Sequence, residues 1–306
     1  MQILLISGFL GAGKTEFIKT LVGATRKQCV VLENEYGEIN FDSGRLKDIK
    51  TPDFQDVAVD VEELTEGCIC CSMNLDVSLS ILTIANSLDP DLLILEPSGV
   101  ALPSRLLAKI EPILYERIGL LEPIVILDGQ HYPEAAQNFP TYLRDQLETA
   151  STLLVSKSES WTAMDYRALR KELDIPDHVR IPESHYSTWR DRAFHELLER
   201  PLIIDGKAPV KVNPEPSSEE HLDHITFPDV RVSSPYVLVS QLEALIHGHG
   251  GDVVRAKGQV RCGTEILTFD LVGGSYTVEG EQYGDETGVV VIGQNLNHEK
   301  LEYIFT

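Results

Sequence analysis

Eight residues near the start of the chain have the types and spacing of a phosphate cradle: Gly8-Phe9-Leu10-Gly11-Ala12-Gly13-Lys14-Thr15. The glycines let backbone N–H groups turn inward around a β-phosphate, and the start of a following helix adds a field that favours the anion. Lys14 is placed to reach the β- and γ-phosphates, and the Thr15 hydroxyl to ligate Mg²⁺. A second element, Leu92-Leu93-Ile94-Leu95-Glu96-Pro97-Ser98-Gly99, is an apolar run ending in a carboxylate. Glu96 there would orient Mg²⁺ or an attacking water, and Gly99 permits the close backbone approach that a γ-phosphate requires. Alone this element says little, because many strands end in Glu. Beside the loop at 8–15 it completes a nucleoside-triphosphate site.

Two further clusters lie between these elements. In Gly67-Cys68-Ile69-Cys70-Cys71, extended backbone projects Cys68 and Cys70 to one side, and Cys71 joins them if the chain turns. Three thiolates suit Zn²⁺, Cu(I) or another borderline-to-soft ion and leave a fourth position open, which suits transfer better than storage. The alternatives are small residues filling a core and a vicinal disulfide. The stretch Leu32-Glu33-Asn34-Glu35-Tyr36-Gly37-Glu38, with Asp42 beyond it, is dense in carboxylates and follows a strand, where a nucleotide-sensing loop would sit. An isolated run of this kind would otherwise be a solvated acidic loop.

The elements that must hold these residues follow from hydrophobic pattern. Apolar runs at Ile3–Ser7, Cys29–Glu33, Leu92–Glu96, Pro123–Leu127 and Leu153–Ser156 predict buried strands. Helical spacing predicts helices over Lys14–Val22, Leu75–Ser87, Pro103–Ile118, Ala135–Leu147 and Thr162–Leu173, with a short strand at Val179–Ile181 and a helix at Trp189–Leu198. The fold class is therefore α/β, a mainly parallel sheet with helices on both faces. Asp205–Glu220, with three prolines and no apolar period, reads as a linker between a first domain at 1–204 and a smaller C-terminal α+β domain at 221–306. In that domain Ser233-Ser234-Pro235 opens a helix, strands follow at Val253–Arg261, Ile266–Val272, Tyr276–Glu279 and Val289–Gly293, and a last helix spans His298–Phe305. Cys29 and Cys262 are expected in cores, and Asp128, at a strand end, is expected to cap the following turn.

Composition removes several classes. The 306 residues carry 48 acidic and 26 basic side chains, a formal net charge of −22, which repels nucleic-acid backbones. An apolar share of 42% supports a folded chain, and no stretch approaches the ~20 apolar residues of a membrane span. The apolar start lacks basic residues and runs into Gly-Phe-Leu-Gly, so it reads as a strand, not a signal peptide. Five cysteines with three in one cluster argue for reduced thiols. A soluble, cytoplasmic protein is expected.

The four motifs in this order, GFLGAGKT, ENEYGE, GCICC and LEPSG, resemble the CobW-type family of GTPases, a SIMIBI-class P-loop group related to the nickel-insertion GTPases of urease and hydrogenase. The C-terminal half is similar to the CobW C-terminal domain through Ala256-Lys257-Gly258 and Val289–Gly293. The resemblance implies a P-loop GTPase that delivers a metal to a client metalloprotein or cofactor protein, with hydrolysis rearranging the loops around the thiols. It places nucleotide on Gly8, Gly11, Ala12, Gly13, Lys14, Thr15, Glu16 and Gly99, with Lys14 and Glu96 catalytic. Thr15, Glu96 and Asp42 take Mg²⁺, Glu35 and Glu38 switch, and Cys68, Cys70 and Cys71 hold the cargo. Zn²⁺ is the metal expected of thiolates, Co²⁺ follows from analogy with the family, and iron or nickel remain open.

Two features depart from the family pattern. Guanine is usually read by Asn-Lys-x-Asp, or by the same motif with Thr or Ser first, whereas the matching strand end here is Ser156-Lys157-Ser158-Glu159, with Glu at its last position. Glu159 keeps the carboxylate that accepts guanine N1–H and N2–H but is one methylene longer, so GTP over ATP is expected with a retracted backbone. Many members carry a histidine-rich tract; here only His221, His224, His247 and His249 stand near that position, so bulk metal storage is not expected. With no arginine finger near the loops, slow turnover that a client accelerates is expected. Two rival readings use the same parts: a nucleotide-gated metal sensor that never transfers its ion, and an activator that remodels a corrinoid or other cofactor protein.

Overall fold

The near-continuous apolar runs become the middle of a parallel sheet. In a computed structural model that describes residues 1–33, 59–63, 77–203, 211–281 and 287–305 (backbone alone at 59–63 and 281), Gln2–Ser7 (β1), Cys29–Glu33 (β2), Val59–Glu63 (β3), Leu92–Glu96 (β4), Gly119–Leu120 (β5), Ile124–Asp128 (β6) and Thr152–Ser156 (β7) pair in parallel. Their order is β3-β2-β4-β1-β6-β7, with β5 beside β1. Strands buried on both faces need helices on both faces, and they have them. Helix α1 (Lys14–Thr25) sets Phe17, Ile18 and Leu21 on one face. On the other, α2 (Val77–Ser87) and α3 (Pro103–Ile110) cover Leu5, Leu32 and Leu93. Helix α4 (Tyr132–Asn138) leads into α5 (Pro140–Thr149), which with α6 (Ala163–Glu172) covers Leu127 and Leu153. Helix α7 (Asp191–Leu198) returns to the first face, where Phe194 meets Phe17. All the strands run the same way, so the loop at 8–15, Glu96, Asp128 and Ser156 gather at one edge, the carboxyl edge where such sheets bind ligands.

Prolines explain where the expected helices fail. The helix over Pro103–Ile118 ends at Ile110 and gives way to a 3₁₀ turn at Glu111–Ile113, because Pro112 has no N–H for the helical ladder. The helix over Ala135–Leu147 is two helices: Phe139, at φ −135° before Pro140, leaves the helical region. The strand at Val179–Ile181 reduces to one bridge between Thr152 and Arg180. Strand β3 was not foreseen, although the alternation in Val59-Asp60-Val61-Glu62 carries its signal.

The chain divides into two compact units, the first ending at Ser217. Of the described part of the proline-rich stretch, residues 211–217 belong to the first and 218–220 to the second. Asn213 is buried, donating its backbone N–H to Ser104 Oγ at 3.2 Å and its Nδ2 to Asp145 Oδ1 at 2.9 Å. Asp145, fully buried, also accepts the Ser104 N–H at 3.1 Å.

The second unit is an antiparallel sheet of Asp223–Pro228 (β8), Asp252–Cys262 (β10), Glu265–Val272 (β11), Ser275–Glu281 (β12) and Gly288–Gln294 (β13) in the order β12-β11-β10-β13-β8, with Arg231–Val232 (β9) parallel to β10. Pro235–Ile246 (α8) and His298–Phe305 (α9) lay Leu238, Leu242, Leu301 and Phe305 on Ala256, Phe269 and Val291. Ser234 caps α8 by accepting the Val237 N–H, with Pro235 in the first turn. Cys29 is in the first core, while Cys262 only borders the second. Among the described residues, no helix is long and apolar enough to cross a membrane.

Candidate functional site

The turn out of β1 is shaped by what its residues must avoid. Gly8 sits at φ 153°, and a Cβ there would lie 2.2 Å from the Ile126 carbonyl oxygen, so only glycine lets the loop leave beside β6. The Ala12 N–H donates back to the Phe9 carbonyl at 3.1 Å, and Gly13, at φ 85°, starts α1. No side chain caps this helix start, which leaves its positive end to an anion. Lys14 is buried, with Nζ donating across the loop to the Gly8 carbonyl at 3.2 Å; Glu16 is exposed on the same turn. Gly99 is needed for a reason the sequence did not give. A Cβ on it would stand 2.5 Å from the backbone nitrogen of Leu10, so the close approach is to the phosphate loop itself.

Carboxylates line the floor. The Thr15 hydroxyl donates to Glu96 Oε1 at 3.0 Å, joining the two motifs across 81 residues of sequence. Glu33, at the end of β2, is the register partner of Glu96, and both are buried. In-register neighbours share a face of the sheet, so the two carboxyl groups stand side by side at the strand ends.

At the end of β7 the motif Ser156–Glu159 is tied down by side chains. Ser156 Oγ donates to the Ala12 carbonyl at 2.7 Å, stapling this strand to the phosphate loop. Lys157, at φ 52°, places Nζ 2.6 Å from Asp128 Oδ2. Asp128 caps the following turn, as expected, by accepting the N–H groups of Gln130 and His131 at 2.8 and 3.1 Å; it also meets His131 Nδ1 at 2.9 Å. Burial favours the neutral acid, but the hydrogen bonds from Lys157 and His131 and the charge of Lys157 outweigh it and hold the Asp128 carboxyl below its ordinary range. Ser158 is buried and bonded to the Val155 carbonyl and the Tyr166 hydroxyl. Glu159 is 65% exposed and faces His185. Burial pushes the Tyr186 hydroxyl up to about 12, with the charges of Glu16 and Glu159 adding to it.

The structure thus brings together Gly8, Gly11, Ala12, Gly13, Lys14, Thr15, Glu96, Gly99 and Ser156, with Lys157 and Glu159 at the far end. Asp42, Glu35, Glu38, Cys68, Cys70 and Cys71 lie outside the described residues. His131 and His185 carry no signal in the motifs, and Glu33 enters there only as part of the acidic stretch Leu32–Glu38. Glu33 was in view as the end of an apolar strand, like Glu96, while the histidines acquire partners only through folding.

Two family descriptions match the chain: "CobW/HypB/UreG, nucleotide-binding domain" over residues 2–179 and "Cobalamin synthesis protein cobW C-terminal domain" over residues 223–306. The zinc chaperone CobW of Sinorhizobium sp is 39% identical over 301 residues, covering 83% of this chain and 79% of that protein. The zinc chaperone YeiR of Escherichia coli is 30% identical over 176 residues, covering 55% of this chain. The chain spans about half the length of YeiR and of the zinc chaperone YjiA of the same organism, 49% and 50%. The solved structure of zinc-bound YjiA GTPase is 19% identical, covering 100% of this chain and 98% of its own, at a TM-score of 0.46.

Proposed function

The chain belongs to the CobW/HypB/UreG family, and from that premise we propose that it is a GTP-hydrolysing metallochaperone that binds a transition metal at Cys68, Cys70 and Cys71 and delivers it to a client protein under nucleotide control. The observation that carries the reading is the bond from Thr15 to Glu96, which sets the phosphate loop against the strand end whose next turn, at Gly99, touches Leu10. Lys14 exchanges the Gly8 carbonyl for phosphate oxygens, and the uncapped start of α1 receives the same anion. The hydroxyl of Thr15 and the carboxylate of Glu96 are hard oxygen donors that fit Mg²⁺ and would hold it, with Asp42 as a further ligand. Held there, Mg²⁺ would supply positive charge against the charge developing on the transferring phosphoryl group. Ser156 fixes the base-reading strand to the loop, and Glu159 accepts the two N–H groups of guanine.

The relatives named as zinc chaperones support Zn²⁺ as the cargo, with Co²⁺ second. A change of nucleotide at Glu96 reaches the thiols through the chain between β2 and α2, which contains both the acidic stretch and the cysteines. The test is the Zn²⁺ affinity of the reduced protein with GDP and with a non-hydrolysable GTP analogue, the matching ATP analogue serving as control. A difference of about tenfold between the guanine states, ~1.4 kcal/mol of coupling, that disappears in Cys70→Ser is expected. Equal affinities in all states would remove the chaperone reading in favour of remodelling. A metal that stays bound when an apo-client is added would favour sensing. Turnover by the isolated protein is expected to be slow, well below one per second.

A further inference from the structure

The base-reading end contains a histidine outside its motif. His185 follows the bridge at Arg180, and its side chain is only 6% exposed. The ring is fixed from several sides. Nδ1 accepts the Ser187 N–H at 3.2 Å and lies 2.7 Å from Ser187 Oγ. The His185 carbonyl accepts the Thr188 N–H and hydroxyl, and the ring leans on Tyr186 with centroids 4.2 Å apart. An imidazole that accepts a backbone N–H at Nδ1 carries its neutral-form proton on Nε2. That Nε2 is buried and makes no hydrogen bond; it faces Glu159 Oε1 at 3.5 Å, about half an ångström beyond bonding distance.

Glu159 has the opposite character. Its side chain is 65% exposed, and it has one more rotatable bond than the aspartate that usually fills this role. A loose carboxylate reads a base poorly in two ways. It must be ordered before it accepts guanine N1–H and N2–H, and it can swing into solvent when adenine presents a lone pair at N1. A fixed N–H beside Oε1 corrects both. A carboxylate oxygen has lone pairs for two donors, so Oε1 accepts from His185 and from guanine together. A buried N–H lacking a partner gains by completing that bond.

We propose that His185 is a positioning residue for base selection: its Nε2–H captures Glu159 Oε1 as nucleotide enters, holds the longer carboxylate where an aspartate would stand, and denies it the retreat that adenine needs. This rests on the reading of the site as a guanine-nucleotide site. In such a pair the histidine supplies the reach control that the extra methylene of Glu159 removes.

The test measures dissociation constants for GDP, ADP and xanthosine diphosphate with Mg²⁺, on the full chain and on His185→Ala, His185→Gln and Glu159→Gln. His185→Ala is expected to cut the preference for GDP over ADP about tenfold, with ADP affinity unchanged or slightly improved. His185→Gln keeps an N–H donor of similar reach and is expected to recover most of the preference. Glu159→Gln offers an amide donor to the second carbonyl of xanthine and is expected to move the preference to xanthosine diphosphate. If Glu159→Gln switches base while His185→Ala keeps the wild-type ratio within twofold, Glu159 acts without His185 and the proposal is overturned. If His185→Ala weakens GDP and ADP equally, so that their ratio is unchanged, the histidine is structural only and the proposal is likewise overturned. If the wild type shows no preference and Glu159→Gln gains none, the guanine reading itself fails.

Discussion

At the phosphate end of the site the backbone does the positioning, while at the base end side chains do. The loop at 8–15 is shaped by where a Cβ cannot go: against Ile126 at Gly8, and against Leu10 at Gly99. The strand end at 156–159 is held instead by Ser156 on Ala12 and Lys157 on Asp128, with Glu159 loose and facing His185. Backbone N–H groups present a fixed concave field to any triphosphate, so the phosphate end supplies affinity without discrimination. On the proposed reading, side chains present donors and acceptors in a particular order, so the base end would supply choice. Changes at the two ends should therefore fail differently.

The largest effect is expected at Lys14. Removing a buried cation aimed into the cradle should cost on the order of 10³ in kcat/KM for GTP, as loss of a preorganised charge at a reacting centre does. The preference among bases in whatever binding remains should be unchanged. A Lys14→Ala protein that hydrolyses GTP at wild-type rate would break the comparison outright. Next come the glycines. Gly99→Ala puts a methyl group 2.5 Å from the Leu10 nitrogen, and the loop or the strand end must move. The expected outcome is a loss of about 1–3 kcal/mol in chemical denaturation, with GDP and ADP affinities falling together. Loss of one nucleotide alone would mean that this contact belongs to base selection.

The same contrast decides what could be read from sequence. The phosphate loop is local: eight consecutive residues state both the conformation and the charge, so Gly8, Gly13, Lys14 and Thr15 stand where their spacing put them. The alternation of buried strands with helical patterns gave the parallel sheet for the same reason, since each run declares its own burial. Where the helical spacing fails the cause is local too, a missing N–H at Pro112 and the restricted backbone of Phe139 before Pro140. The base end is not local. Ser156 bonds a carbonyl 144 residues away, Lys157 a carboxylate 29 away, and His185 faces Glu159 across a helix and a turn. Nothing in the spacing of Ser-Lys-Ser-Glu announces those partners. Gly99 shows an intermediate case, in which a close approach was foreseen but its partner, Leu10, was not.

Ser156 is where the two ends meet, so its loss should have a mixed signature. Ser156→Ala leaves the buried Ala12 carbonyl short of a donor, an expected cost of about 1–2 kcal/mol. Affinity for every nucleotide should fall modestly, and kcat should change less than in Lys14→Ala. A selective loss of GDP, with ADP untouched, would place the serine wholly within the base end.

The smallest effect is expected at Asp128, and pH separates its charge from its shape. Asp128→Asn keeps an oxygen for the N–H groups of Gln130 and His131, but Lys157 loses its ion pair. Because Lys157 is 36% exposed, solvent screens that pair and about 1 kcal/mol is expected at neutral pH. The folded-state pKa of Asp128 is depressed from its ordinary 3.8, so the unfolded chain takes up the proton first as pH falls. The wild-type advantage over Asp128→Asn should therefore be constant well above pH 3.8, then shrink as pH drops through the lower folded-state value. An advantage that persists undiminished in acid would assign the stabilisation to the cap on Gln130 and His131. The base end would then be held by turn geometry, as the phosphate end is, and the contrast between them would narrow to Glu159 and His185.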